Sequence, residues 1–136
     1  MKLKDLNADR LSLRLSVDEL GTIGNALNEV CHGLYVDHFA SKMGDKRKNV
    51  SLLLDQIVPV YRKADRSGSL HVTVSFSDGE LRAIIGALKT VCREISEFEF
   101  QTRMGDERSE VEQLLDQITP IYRKMKQLES SMPQES

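Results

Sequence analysis

The chain has 136 residues, 40% hydrophobic and 29% charged, with a net charge of −2; this is the composition of an ordinary soluble globular protein, far from that of a disordered chain. No apolar run approaches the ~18 residues of a membrane span, so no membrane role is expected, and a near-neutral balance disfavours nucleic acid as a general partner. Trp is absent and aromatics make up 5%, which leaves aliphatic side chains to fill the core.

The start, Met1-Lys2-Leu3-Lys4-Asp5, is charged and lacks the apolar stretch of a secretory signal, so a cytoplasmic location is expected. Residues 1–9 show no pattern that selects an element. From there the chain says one thing nearly twice. Residues 11–63 align without a gap onto 72–124 at a constant offset of 61, and 23 of the 53 pairs are identical. A fixed offset of this length marks a duplicated supersecondary unit, each copy covering the other's apolar face. The expected organisation is one domain made of repeat 1 (11–63), a linker (64–69, ADRSGS), repeat 2 (70–124) and a polar tail (125–136) that frays beyond its first turn.

Each repeat opens on alternation, Leu11, Leu13 and Leu15 in the first and Leu70, Val72, Val74 and Phe76 in the second. Period-2 alternation predicts a strand with one covered face. Ser16-Val17-Asp18-Glu19 and Ser77-Asp78-Gly79-Glu80 then read as capping boxes. The helices they start carry inward stripes at Leu20, Ile23, Leu27, Val30, Cys31 and Leu34, and at Leu81, Ile84, Ile85, Leu88, Val91, Cys92 and Ile95. A variable stretch follows, with a short helix anchored by Phe39 or Phe100 and stopped by Gly44 or Gly105 in the left-handed conformation. Asp45 and Asp106 stand where an N-cap belongs. The last helix of each repeat has its apolar face at Val50, Leu53, Leu54, Ile57 and Tyr61, or Val111, Leu114, Leu115, Ile118 and Tyr122, and is expected to kink or stop at Pro59 and Pro120. The fold class is therefore α+β: two pseudo-twofold-related strand–helix–helix repeats whose helices pack on a small antiparallel sheet. Two strands alone are marginal in water, so the open edges invite pairing in a homodimer.

Chemistry is sparse. Cys31 and Cys92 occupy equivalent places on inward stripes and read as buried free thiols. Cys31-His32 with His38 resembles a ligand run, but the second repeat has Cys92, Arg93 and Glu99 there, so no metal site is expected. The three histidines have no counterparts, and no phosphate loop or dinucleotide fingerprint is present; no catalytic residue and no cofactor are assigned. Charge is the asymmetric feature. Repeat 1 carries seven Lys/Arg against six Asp/Glu, and residues 72–124 carry seven against ten. The excess gathers in Glu94, Glu97, Glu99, Asp106, Glu107, Glu110 and Glu112. A single-sign patch of this kind attracts a basic partner. Asp55, Arg62, Asp116 and Arg123 are polar positions kept identical in both repeats and off the apolar face, a second set of candidate contacts.

Ala26-Leu27-Asn28-Glu29-Val30-Cys31, Phe39, Met43-Gly44 and the Val50, Leu53-Leu54 pattern, with their second-repeat counterparts Ala87-Leu88, Val91-Cys92, Phe98-Glu99-Phe100, Met104-Gly105, Val111 and Leu114-Leu115, resemble short bacterial proteins of the toxin-immunity type, here as a tandem duplication. The resemblance implies a small inhibitor that binds another protein, and it carries over no site residue. The leading expectation is a non-enzymatic protein-binding module, an immunity or inhibitor protein that captures a basic partner through Glu94, Glu97, Glu99, Glu107, Glu110 and Glu112. The alternative is a small-molecule-binding protein or enzyme using a cleft between the repeats, lined by His32, His38 and Tyr35. A third is a self-assembling module whose strand edges pair.

Overall fold

Alternating leucines produce the central strand. The structure, a computed structural model, describes residues 1–7 and 9–131. In β2 (Arg10–Ser16) Leu11, Leu13 and Leu15 are fully buried while Arg14 on the opposite face is exposed. β3 (His71–Ser77) pairs with it antiparallel, Leu11 opposite Phe76, Leu13 opposite Val74 and Leu15 opposite Val72. A third strand, β1 (Lys2–Leu6), comes from the stretch where no element was expected and pairs along the other side of β2, with a shift between Leu3 and Asp5. The sheet order is β1-β2-β3. Helices packed on this small antiparallel sheet make the fold α+β. Leu70 departs from the inward alternation: it lies just before β3 and is 78% exposed.

Both strand-to-helix junctions are made without a loop, because the last strand residue is itself the cap. Ser16 Oγ accepts from Glu19 N at 3.0 Å while Glu19 Oε1 accepts from Ser16 N at 2.8 Å, starting α1 (Val17–Asn28). Ser77 and Glu80 do the same for α4 (Asp78–Glu94) at 3.2 and 2.8 Å. Each box satisfies two of the main-chain donors that a helix start leaves bare. α1 continues into a single π turn, Glu29–Gly33, so the expected stripe is interrupted there and Leu34 is extended. α2 (Phe39–Met43) and α5 (Glu97–Met104) end at Gly44 (φ 77°) and Gly105 (φ 75°), the left-handed caps expected of them.

The expectation for Asp45 and Asp106 is corrected. α3 (Arg47–Arg66) is preceded by Lys46 at the cap position, and Asp45 Oδ1 instead accepts from Lys46 N and Asn49 Nδ2, both at 2.8 Å. Asp106 is drawn away by Thr22 of α1. The proline expectation is corrected in part. α3 and α6 (Arg108–Ser131) both run through Pro59 and Pro120 without stopping. Each proline is exposed, as are Asp55 and Asp116 one turn before, so the carbonyl that loses its donor faces water. The linker is shorter than expected: Ala64, Asp65 and Arg66 belong to α3, Ala64 is buried, and the turn is confined to Ser67–Ser69. The expected polar tail is helical through Ser131 with Met125 fully buried; its positions 132–136 lie outside the described residues.

The core lies between the sheet and the α1–α4 pair, where Ile23, Ala26, Leu27 and Val30 are buried with Ile84, Ala87, Leu88 and Val91. α3 covers α1 and α6 covers α4. The short helices cross over, α2 packing on α4 and α5 on α1. Asn25 Nδ2 donates to Met104 O at 2.9 Å, and at the counterpart of Asn25, Gly86, a Cβ would stand 2.4 Å from Lys42 O. Among the described residues no helix is long and apolar enough to cross a membrane.

Candidate functional site

The acidic residues of the second half divide by what the helices do with them. α5 is pinned by buried Phe100 and Met104, and α6 starts a short turn later. Their junction is bracketed by Arg108, whose Nη2 donates to Ile95 O at 2.7 Å while its guanidinium lies 4.7 Å from the centre of the Phe100 ring. Around this bracket Glu97, Gln101, Glu107, Ser109 and Glu112 line an open groove with Phe100 and Arg108. Glu97 Oε2 stands 4.0 Å from Arg108 Nε and is almost fully exposed, a contact too long and too wet to neutralise it. Glu107 and Glu112 are exposed and form no ion pair among the described residues.

The first half stacks an arginine on a phenylalanine in the same way but ties it to different carbonyls. Arg47 Nη1 donates to Val30 O at 3.1 Å and Cys31 O at 2.8 Å, with its guanidinium 4.7 Å from the centre of the Phe39 ring. Its flanking positions carry Lys46 and Lys48 where the second half has Glu107 and Ser109. The arginine is thus architectural in both halves, satisfying carbonyls at a helix end, while of the side chains beside it one changes sign and the other loses its charge. Sequence reading counted Arg47 and Arg108 only as charges; the signal that could have found them is their identity inside otherwise divergent flanks.

The other acidic candidates are elsewhere. Glu99 is tied to Arg103, whose Nη1 lies 3.4 Å from Glu99 Oε2 and whose Nη2 and Nε reach Glu29 Oε2 and Oε1 at 2.7 and 3.2 Å. Glu29, on the π turn, is 8% exposed. That hydrogen bond to Glu29 holds the Arg103 pKa above its usual value. Glu94 pairs with its neighbour Arg93 at 3.0 Å. Glu110 lines a separate cleft between α1 and α6 with Asp18, Glu19, Thr22 and Asp106. A hydrogen bond shared with Asp106 pushes the Glu110 carboxyl above the ordinary carboxylate range, helped by the charges of Asp106, Glu107 and Asp18. Asp55, Arg62, Asp116 and Arg123 are exposed on the outer helices and form no ion pair among the described residues; Arg123 borders a groove between α6 and Leu3 of β1.

Contrary to expectation, His32, His38 and Tyr35 do not line a cleft between the halves; the cleft that lies there, on α1 and α6, is the acidic one with Asp18, Thr22, Asp106 and Glu110. α1 and α4 fill the seam between them with buried aliphatic side chains, and His32, His38 and Tyr35 are exposed on the π turn and the loop after it. Cys31 and Cys92 are free thiols. Burial raises both thiol pKa values, which lowers the thiolate fraction and so the reactivity of each. No family model matches the chain, and neither the curated proteins nor the solved structures contain a significant match to it.

Proposed function

We propose that the chain is a non-enzymatic protein-binding module, an immunity or inhibitor protein that holds a basic partner in the α5–α6 groove. The observation that carries it is the gain of negative charge around an arginine–phenylalanine stack present in both halves. Arg108 and Phe100 keep the guanidinium–ring stack that Arg47 and Phe39 make in the first half, while Glu97, Glu107 and Glu112 replace Val36, Lys46 and Ser51 at the counterpart positions. On this view the halves are copies of one strand–helix–helix unit about a local twofold, one of them recharged for binding. Exposed carboxylates gathered along one groove speed encounter with a positive surface and reject a negative one. Two unpaired cysteines suit a reducing compartment, and we place the protein in the cytoplasm.

The candidate contacts narrow accordingly to Glu97, Glu107 and Glu112, because Glu99 and Glu94 are engaged with arginines and Glu110 faces the α1–α6 cleft. Affinity capture from host lysate tests the assignment. One stoichiometric basic protein should be retained at low salt and released at high salt, and the triple variant Glu97→Lys, Glu107→Lys, Glu112→Lys should lose it with unchanged circular dichroism. Equal capture by the triple variant would remove the groove from the binding surface. The alternative, a small-molecule or active site between the halves, has less support: aliphatic side chains fill the α1–α4 seam, and the cleft left between α1 and α6 is lined by carboxylates rather than by His32, His38 and Tyr35.

A further inference from the structure

The two edges of the sheet are built differently. β1 is five residues long, carries Lys2, Lys4 and Asp5, and slips register between Leu3 and Asp5. Short length, charge and a bulge are the devices that stop an edge strand from pairing again. β3 has none of them. Its seven residues, His71 to Ser77, include no Asp, Glu, Lys, Arg or Pro, and its register against β2 is unbroken. Its alternation of Val, Thr, Val, Ser and Phe is that of a strand fitted to a half-buried surface.

Parity shows which main-chain groups are open. Val17 N donates to Leu70 O at 3.1 Å, so in the antiparallel ladder Leu70, Val72, Val74 and Phe76 direct their main-chain groups at β2, while those of His71, Thr73 and Ser75 point to the edge. Ser77 N is taken by Glu80 Oε1, and Arg10 Nη2 reaches Ser75 O at 3.2 Å. The open groups are therefore those of His71 and Thr73 and the N–H of Ser75, with Thr73 at the centre; Ser75 O, held by Arg10, has one lone pair left for a further donor. On the far edge, Leu3 of β1 lies in a groove beside Pro120 and Ile121 of α6. Among the described residues no strand beyond β3 lies across their sequence counterparts, Pro59 and Val60 of α3. Val60 instead lines an uncovered groove with Leu53, Ile57, Val74 and Phe76, and Leu52 of the same helix and Leu70 before β3 are exposed.

We propose that this edge seats a second copy of the same chain, the two β3 strands pairing antiparallel about Thr73 to join two three-stranded sheets into one of six strands. With Thr73 on the twofold, Val72 faces Val74 of the second copy, Leu70 faces Phe76, and on the polar face His71 faces Ser75 and Thr73 faces Thr73. Every apolar position meets an apolar one, and no like charges are opposed. Such a contact is isologous and closes at two chains. The chain's own β3 supplies at each position the alternation that the edge and the α3 groove require. The proposal is independent of the acidic groove on α5 and α6.

Sedimentation equilibrium from micromolar to millimolar protein, with amide exchange, tests it. The expected result is a concentration-dependent doubling of the 15.4 kDa chain mass, with the amides of His71, Thr73 and Ser75 protected in the dimer and open in the monomer. Thr73→Pro removes an edge-facing N–H and should give a monomer with unchanged circular dichroism. Thr73→Lys opposes two ammonium groups across the twofold and should move dimerisation to higher concentration, partly reversed by salt. Thr73→Lys keeps the test valid if the proline variant does not fold. A monomer at every concentration, or a dimer with freely exchanging β3 amides, overturns the proposal. So does protection of those amides only on addition of a strand-forming peptide of other sequence.

Discussion

Glu29 and Arg103 occupy positions whose counterparts are Thr90 and Lys42, and the difference exposes what a single residue costs. Glu29 has its carboxylate almost out of water, with Gly33 leaving the room for it: a Cβ there would stand 2.1 Å from Glu29 Oε2. A buried carboxylate is stable only if its partner stays. Thr90 is buried as well, but its hydroxyl donates to Gly86 O at 2.8 Å and asks nothing of Lys42. Arg103→Leu should therefore destabilise the protein by about 2–4 kcal/mol, near or below the cost of breaking a fully buried pair because Arg103 is partly solvated. The double variant Glu29→Thr, Arg103→Lys installs the counterpart residues and should recover most of that loss, since no charge is left buried. Chemical denaturation of the wild type and both variants checks it; equal losses in the single and double variants would show that the ion pair is not what anchors α5 to the π turn.

At the scale of the element, what was legible in the sequence is what is decided locally. The capping boxes at Ser16 and Ser77, the left-handed stops at Gly44 and Gly105, and the buried alternation of Leu11, Leu13 and Leu15 depend on neighbours within a turn or a pleat, and each formed as the residues prescribe. The misses were decided from outside. β1 gains its place by pairing with β2 and laying Leu3 beside α6, Asp106 accepts from a threonine on α1 instead of capping α6, and the π turn is held by an arginine from the other half. The acidic excess of the second half was legible as composition but its distribution was not, because which carboxylates pair with Arg93 and Arg103, as Glu94 and Glu99 do, is decided by the fold. Gly86 separates the local from the tertiary contribution in one helix. Propensity alone favours alanine over glycine in a helix by ~1 kcal/mol, and Gly79, with open space at its Cβ position, should gain about 0.4–1 kcal/mol on Gly79→Ala. Gly86→Ala should instead cost about 1–3 kcal/mol, the penalty of overpacking, because the new methyl meets the main chain of Lys42 and Met43 at 2.4 and 3.1 Å. Opposite signs in thermal denaturation are the expected outcome; a stabilised Gly86→Ala would mean that α2 rests loosely on α4.

For the whole molecule, the crossed packing decides how it folds. Neither half contains a complete core: β2 must find β3, α2 lies on α4, and α5 lies on α1. A chain cut in the Ser67–Ser69 turn would leave each half with the buried faces of α1 or α4 open to water, and isolated units of ~65 residues are already marginal when their cores are whole. The intact chain should therefore unfold in one cooperative transition, with fluorescence and circular dichroism coinciding. Fragments 1–67 and 68–136 should each lack a cooperative transition at low concentration. Mixed in equal amounts they should recover one, because the cut breaks no strand pairing and no helix, and Gly68 at φ 70° has nothing within 4 Å of its Cβ position. The cost of recovery is that of making an intramolecular step bimolecular, so the midpoint of the mixture should rise with concentration while that of the intact chain stays fixed unless the β3 edge also pairs. Thr73→Pro in both samples separates the two effects. Independent cooperative folding of either fragment as a monomer would show that its half closes on itself, and the exchange of α2 and α5 would then be packing between finished units rather than the way the core is made.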